Sequence, residues 1–152
     1  MPLGATQESL LEKLPEFSCD AIIDGFEDLG DVYCHGTSSY AGVEAFASVY
    51  FYSNSLGSVR ITFDSDEFDD VNRALMKKYG QPTTAETTVL GNAMGAKFVN
   101  ETNTWKRKGG KLSINKFAGE ISESSVDISS TDYSAEYAKR KKRSINEKGG
   151  DL

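Results

Sequence analysis

Hydrophobic residues recur at helical spacing near the start of the chain. Leu10, Leu11 and Leu14 fall on one side of this segment, and Thr6 precedes it as a residue that can cap a helix. Pro15 ends the pattern, because proline removes a helical hydrogen bond and clashes with the preceding turn. The spacing predicts a short first helix between Thr6 and Pro15.

A second helix is predicted by several features that agree with one another. Ser65 or Asp66 can cap it, acidic residues follow in its first turn, and Gly80 ends it with Pro82 just beyond. Its apolar side is formed at helical spacing by Phe68, Val71, Leu75 and Tyr79. This pattern is typical of an amphipathic helix that packs on a core.

Strands are predicted where apolar residues alternate with polar ones or form short runs. Residues 43–52 are rich in β-branched and aromatic side chains, and residues 58–63 alternate strictly. A turn at residues 53–57 joins these two strands, and one or two further short strands are expected within residues 17–42. In the alternating strand Val59, Ile61 and Phe63 are expected to face the core, and Ser58, Arg60 and Thr62 the solvent.

The second half of the chain has a similar pattern. The glycine pair Gly109-Gly110 lies between two strand-like runs, which indicates a hairpin. The predicted elements are a strand at 83–90, a loop at 91–95, strands at 104–108, 111–115 and 125–129, and a helix from residue 132.

The order of these elements repeats, which suggests a tandem duplication. We therefore predict an α+β fold with one domain at residues 1–131, built from halves at about 1–64 and 65–131. Each half contributes a helix and antiparallel strands, and the helices pack on one face of the sheet. Residues 132–152 are expected to form a basic C-terminal helix with a frayed end.

The overall composition indicates a globular chain. Of 152 residues, 38% are hydrophobic, and no apolar run is long enough to span a membrane. The first residues resemble no signal peptide. Two explanations remain open: a signal peptide was replaced by Met1, which predicts a periplasmic protein, or Met1 is the natural start, which predicts a cytoplasmic one.

Charge is divided unevenly along the chain. Residues 1–70 hold fourteen acidic and two basic residues, whereas residues 71–152 hold nine acidic and fifteen basic ones. The net charge is −6. If the two halves stay apart in space, their fields could steer a partner, and otherwise both are solvated surfaces.

Candidate catalytic, metal and cofactor residues fail simple geometric tests. The single histidine, His35, adjoins Cys34, but neighbouring strand residues point to opposite faces, so they do not form a dyad. The acidic run from residue 64 has Asp69 where a calcium loop needs glycine and Leu75 where it needs glutamate. Residues 91–95 lack the lysine of a phosphate-binding loop. We expect no catalytic residue, metal or cofactor, and no enzymatic activity.

The two cysteines are the candidate disulfide. Cys19 and Cys34 both lie in the strand region of the first half, and a bridge between them would favour an oxidising compartment. Two buried thiols in a cytoplasmic core are the alternative.

Basic clusters are the candidate contacts with a partner. Five consecutive basic residues on the last helix point all round it, so a solvated tail is favoured over binding to nucleic acid or anionic lipid. These tail residues are Lys139, Arg140, Lys141, Lys142 and Arg143. The residues expected to contact a protein partner are Tyr40, Arg60, Lys106, Lys108 and Lys111. The partner is expected to bind either the long loops at 36–42 and 91–103 or the exposed sheet face. The polar residues of that face are Ser58, Arg60, Thr62, Lys111, Ser113 and Asn115.

Two short motifs carry a resemblance. Residues 3–11, Leu-Gly-Ala-Thr-Gln-Glu-Ser-Leu-Leu, are similar to the opening of small bacterial envelope domains, and Tyr79-Gly80-Gln81-Pro82 to the end of their helix. The order of elements resembles the fold shared by BamE-type outer-membrane assembly lipoproteins and β-lactamase inhibitor proteins. Bacterial and prophage proteins with a cysteine pair and a charged tail ending in Asp-Leu are also similar. No lipidation cysteine stands at the start, so membrane anchoring does not follow from the resemblance.

The resemblance implies a binding or inhibitory scaffold rather than a catalyst. We therefore expect a non-enzymatic, inhibitor-like module of bacterial or prophage origin whose partner is a protein. The alternative is a phage-type acidic decoy, in which residues 1–70 imitate nucleic acid and block a host enzyme that handles it.

Overall fold

A computed structural model describes residues 5–22 and 29–150, except for the side chains of residues 144 and 146–150. The opening residues 1–4 and the terminal Asp151 and Leu152, which carry part of the resemblance, lie outside these ranges. The helices are α1 (Gln7–Lys13), α2 (Phe68–Tyr79) and α3 (Thr131–Gly150). The strands are β1 (Ser18–Ala21), β2 (Val32–Tyr40), β3 (Val43–Tyr52), β4 (Ser55–Asp64), β5 (Thr84–Gly91), β6 (Lys97–Arg107), β7 (Gly110–Asn115) and β8 (Glu123–Ser130).

The eight strands form one antiparallel sheet in the order β1-β2-β3-β4-β8-β7-β6-β5. Together with the three helices, this confirms the α+β class. The two edge strands are β1 and β5. None of the described helices is both long and apolar enough to cross a membrane.

The chain divides into two compact units. Unit 1 contains residues 1–36, 48–59 and 129–152, and unit 2 contains residues 37–47 and 60–128. The core of unit 1 includes Leu10, Phe17, Cys34, Val49, Phe51 and Leu56. The core of unit 2 includes Ile61, Phe63, Phe68, Val71, Leu75, Trp105, Leu112, Ile114 and Val126.

The units redistribute the charge of the sequence. Unit 1 contains twelve acidic and seven basic residues, and unit 2 eleven acidic and ten basic ones. Both units combine segments from the acidic and the basic parts of the chain, so residues 1–70 do not form one acidic unit.

Several local predictions are confirmed. Helix α1 begins after Thr6, whose hydroxyl accepts a hydrogen bond of 3.2 Å from the amide of Ser9. Strand β3 has the predicted bounds, and α2 ends at Gly80, whose φ of 81° is a conformation that glycine adopts without strain. The hairpin β6–β7 forms with its turn at Lys108 and Gly109, one residue before the predicted glycine pair.

Four details of the prediction are wrong. The turn predicted at residues 53–57 is shorter, because β4 begins at Ser55. The turn before α2 is capped by Asp64, whose carboxylate accepts the amide of Asp66, so neither Ser65 nor Asp66 is the cap. Residues 36–40 and 97–103 belong to strands β2 and β6, not to long loops. The error at residues 97–103 arises because β6 contains many polar residues, among them the buried Asn103, whose amide nitrogen donates to the Oδ1 atom of Asn72.

Candidate protein-interaction edge

The two edges of the sheet differ in length and in protection. Strand β1 has four residues and is tied to β2 by a disulfide. Strand β5 has eight residues, all of them exposed, and pairs with β6 without a bulge along its whole length. It contains no proline or lysine, the residues that commonly protect an edge strand from pairing with another chain. Its backbone is therefore available to an additional strand.

The far end of the β5–β6 hairpin carries exposed apolar side chains. Val89 and Val99 are cross-strand partners and are 66% and 59% exposed. Leu90 and Phe98 form the next pair on the opposite face of the hairpin, where the Phe98 ring makes an edge contact with Phe117. Four of the seven large hydrophobic residues exposed in the described part of the chain fall within residues 89–99. This concentration is unlike the scattered exposed apolar residues of an ordinary surface.

The loop that closes this hairpin is held by its own hydrogen bonds. The side-chain oxygen of Asn92 accepts the amides of Met94, at 3.0 Å, and Ala96, at 2.9 Å. Gly95 adopts a φ of 83° and its amide donates to the carbonyl of Asn92. The loop therefore presents the Met94 side chain, which is 93% exposed, from an ordered turn.

The near end of the hairpin is basic. Lys106 on β6 and Lys111 on β7 are direct cross-strand partners, and both are exposed together with Lys108 in the turn between them. The amide of Lys106 also donates to the hydroxyl of Thr83, which places these charges beside the start of β5. Like charges directly opposite each other destabilise a sheet, and a bound anionic group would relieve this repulsion.

The base of the hairpin is anchored to α2. The indole of Trp105 donates to the carbonyl of Gly80, and Asn103 is bonded to Asn72 on the helix. The guanidinium of Arg107 donates to the carbonyl of Tyr79 at 2.8 Å. These bonds fix the near end of the hairpin, whereas Val89, Leu90 and Val99 at its far end are exposed.

The other residues predicted to contact a partner have intramolecular contacts. Arg60 is exposed and forms an ion pair of 3.2 Å with Asp127. Tyr40 is half-buried at the end of β2, where burial and then the neighbouring Tyr79 raise the pKa of its phenol. Ser113 and Asn115 of the predicted polar face bond to Thr104, Thr102, Ser125 and Asp127. Of the predicted partner contacts, only the three lysines cluster at the near end of the hairpin, where Lys106 lies beside the start of β5.

The predicted disulfide between Cys19 and Cys34 is present. The two residues are direct cross-strand partners on β1 and β2, with their Cα atoms 4.0 Å apart. The alternative of two buried thiols is therefore wrong. Ser18 and His35 form the next pair in this register. Because neighbouring strand residues point to opposite faces, His35 points to the face away from Cys34, as expected.

The basic residues of α3 have two different environments. Lys139, Lys141, Lys142 and Arg143 are exposed. Arg140 instead points inward, pairs with Asp31 at 3.0 Å and with Glu136 at 2.9 Å, and lies over the ring of Tyr52. The part of α3 up to Arg140 thus packs against other segments of unit 1 and is not a free tail.

Among the described residues, no group of three or more histidine, cysteine, aspartate or glutamate side chains could hold a metal ion.

Comparison of the chain with protein families, curated proteins and solved structures finds no match. Evidence for function therefore comes from the geometry of the chain itself. The sequence did not predict that the apolar residues of the hairpin are exposed. A signal was present, because residues 83–91 contain a single charged residue, Glu86.

Proposed function

We propose that this chain is a non-enzymatic, inhibitor-like protein-binding module that receives an extended segment of a partner protein along strand β5. The observation that carries the proposal is the uninterrupted edge strand, in which every residue is exposed and one end carries apolar side chains. An incoming strand would pair its backbone with the outer edge of β5, and alternate side chains would provide specificity. At about 3.3 Å per residue, β5 offers roughly 26 Å of edge.

Charge and apolar surface define the chemistry of the partner segment. The start of β5 lies beside Lys106, whose neighbours are Lys108 and Lys111, and near the end of β5 Val89 pairs with Val99. Within β5 itself the only charged residue is Glu86. The complementary segment is an extended one with acidic residues at one end and alternating apolar residues at the other.

The test is a selection of short random peptides displayed on phage against the immobilised protein, followed by NMR titration with an enriched peptide. We expect the enriched peptides to combine an acidic end with alternating apolar residues. The backbone amides of residues 84–91 should shift most, and binding should weaken as salt is added. Enrichment of no such peptide, or shifts confined to other strands, would overturn the proposal.

Matched variants separate the edge from other surfaces. Val89→Lys places a charge on the exposed edge and should weaken binding about tenfold or more, because lysine on an edge strand opposes pairing. Ile121→Lys is its control, since Ile121 is exposed but lies outside the hairpin. Equal binding by the two variants contradicts strand addition. If the protein instead forms dimers that Val89→Lys dissociates, the edge is occupied by a second copy and the partner assignment is wrong.

A second pair of variants separates the basic end from the basic helix. The triple change Lys106→Glu, Lys108→Glu and Lys111→Glu should abolish both binding and its dependence on salt. The change Lys139→Glu, Lys141→Glu and Lys142→Glu reverses the same amount of charge on α3 and should leave binding intact. Loss of binding in the α3 variant alone would favour the nucleic-acid or anionic-lipid alternative.

The strand order also supports the duplication that the sequence suggests. Each half of the chain contributes one helix followed by four strands. Counted inward from the two edges of the sheet, the strands of each half follow in chain order, β1 to β4 from one edge and β5 to β8 from the other. The bonds from Trp105 and Asn103 to the α2 region are consistent with a helix on the core face. We infer a duplicated scaffold of the kind expected from the resemblance to BamE-type and β-lactamase inhibitor proteins.

The disulfide supports an oxidising compartment, and on this basis we infer a periplasmic protein of bacterial or prophage origin. The acidic-decoy alternative has less support, because residues 1–70 are divided between the two units.

A further inference from the structure

A concave pocket of about 710 Å³ opens on unit 1, far along the chain from the β5–β6 hairpin. Within the described part of the chain, its lining residues are Asp20, Ala21, Ile22, Leu29, Tyr33, Ser48 and Tyr50. The lining thus combines two phenol rings, aliphatic side chains and one carboxylate. No basic side chain is among these residues.

Strand register brings the aromatic rings and the carboxylate to one face. Asp20 on β1 and Tyr33 on β2 are direct cross-strand partners, so their side chains project to the same side of the sheet. The Tyr33 ring is stacked 5.9 Å from the ring of Tyr50 on β3 and 5.0 Å from the ring of His35. Cys34 alternates with these residues and is buried, so the pocket lies on the face away from that core position.

This combination of groups attracts cations. The face of a tyrosine ring carries negative electrostatic potential, and a nearby carboxylate adds a full negative charge. The wider surroundings act in the same direction. Among the described residues of unit 1 outside α3, five are acidic and one, Lys13, is basic.

Unit 1 already binds one of its own cations in this way. Tyr52 lies two residues beyond Tyr50 on β3, and therefore on the same face. The guanidinium carbon of Arg140 lies 4.3 Å from the centre of the Tyr52 ring, and its Nη1 atom lies 3.0 Å from a carboxylate oxygen of Asp31. The pocket brings together the same residue types, since Asp20 is the cross-strand partner of Tyr33 and the Tyr33 ring is stacked with that of Tyr50.

We propose that the pocket binds the ammonium or guanidinium end of a lysine or arginine side chain presented by a protein partner. The phenol rings of Tyr33 and Tyr50 contact the cation, and Asp20 forms the ion pair. The aliphatic lining from Ile22 and Leu29 contacts the methylene groups of the side chain. This site is separate from the β5 edge and does not depend on the function proposed there.

The test is an NMR titration of the whole protein with four small probes. Two are cationic, the N-acetyl methylamides of arginine and lysine, and one is the uncharged norleucine analogue. The fourth, methyl β-glucoside, tests the alternative that the aromatic pocket binds a sugar. We expect the cationic probes alone to shift the signals of Asp20, Tyr33 and Tyr50. Stronger binding of norleucine or of the glucoside, or no shift with the cationic probes, would overturn the proposal.

Two variants assign the interaction to its groups. Asp20→Asn keeps the shape of an exposed side chain and should weaken binding of the arginine probe about three- to tenfold, with a similar loss for Tyr33→Leu. Glu16→Gln removes another exposed carboxylate of unit 1 and should have little effect. The amide spectrum of each variant verifies that it is folded. Equal weakening by Glu16→Gln and Asp20→Asn would mean that only the overall charge attracts the probe, which contradicts a specific site.

Discussion

The indole Nε1 atom of Trp105 donates a hydrogen bond of 3.0 Å to the carbonyl oxygen of Gly80. Trp105 is fully buried on β6, and Gly80 is the residue that ends α2. The bond therefore ties the strand that carries the apolar hairpin to the end of the main helix of unit 2. It also satisfies a carbonyl at a helix end, where backbone groups lack helical partners.

Replacing Trp105 with phenylalanine should destabilise the protein by about 2 kcal/mol. The variant leaves the Gly80 carbonyl without its donor and opens a small cavity beside β6. Urea denaturation monitored by circular dichroism measures the loss. Phe46→Leu, at a partly exposed position, is the control and should change the free energy of unfolding much less. Similar losses in the two variants would mean that the bond does not anchor the hairpin.

The disulfide should make a large contribution to stability. The two cysteines are separated by 15 residues, and a loop of this size stabilises a protein by roughly 3 kcal/mol through the lost entropy of the unfolded chain. The double variant Cys19→Ala and Cys34→Ala should lose about that amount in urea denaturation. Adding dithiothreitol should destabilise the natural sequence and leave the variant unchanged. A variant as stable as the natural sequence contradicts the expectation.

How far the sequence predicts the fold depends on whether a residue's neighbours along the chain determine its environment. Strand β3 and helix α2 were predicted because their apolar side chains follow one period throughout. Strand β6 was predicted only in part, because Asn100 and Asn103 suggest a loop. Both side chains are hydrogen-bonded to residues distant in sequence. The side-chain oxygen of Asn100 accepts the backbone amide of Phe117, and the side-chain nitrogen of Asn103 donates to Asn72.

The candidate site was predicted in part for a similar reason. The three lysines at the near end of the hairpin were recognised from local charge. Val89 and Val99 were not, because alternating apolar residues in a strand normally face a core. Their exposure depends on which other elements pack on the hairpin, which no local pattern indicates. Arg140 was assigned to a solvated tail, since its partner Asp31 is more than a hundred residues away.

Protonation of Asp31 should lower stability in acid. The amide of Ser53, at 2.8 Å, and then the guanidinium of Arg140 lower the pKa of this carboxyl below its ordinary value of 3.8. A carboxyl with a lowered pKa stabilises the fold above its unfolded-state pKa, and this contribution is lost as the pH falls through the folded-state value. The natural sequence should therefore exceed Asp31→Asn in unfolding free energy at neutral pH, and the difference should shrink below about pH 4.

Urea denaturation of both proteins across this pH range measures the effect. In an Arg140→Gln background the difference should keep part of its pH dependence, because the Ser53 amide is the larger cause of the lowered pKa. A difference that stays constant with pH would show that the Asp31 carboxylate does not stabilise the fold.

Gly57 was expected in a turn but lies within β4, where the side chain of Tyr133 covers it. A Cβ atom at this position would overlap the Tyr133 ring. The ring lies 4.9 Å from that of Tyr52, and its hydroxyl donates to the carbonyl of Leu29 at 3.0 Å, so it has little freedom to move. Burial is the main cause that raises the pKa of this phenol. Glycine is therefore required here by the close approach of α3.

Gly57→Ala should destabilise the protein by about 1–3 kcal/mol through overpacking against Tyr133. In a Tyr133→Ala background the ring is absent, so the same substitution should cost much less, although Tyr133→Ala itself destabilises the fold. Unfolding free energies of the four proteins form a double-mutant cycle that isolates this coupling. Gly91→Ala is the matched control, because a Cβ atom there meets only a carbonyl oxygen at 3.9 Å. A cost of Gly57→Ala that is equal in both backgrounds would mean that α3 does not lie against β4.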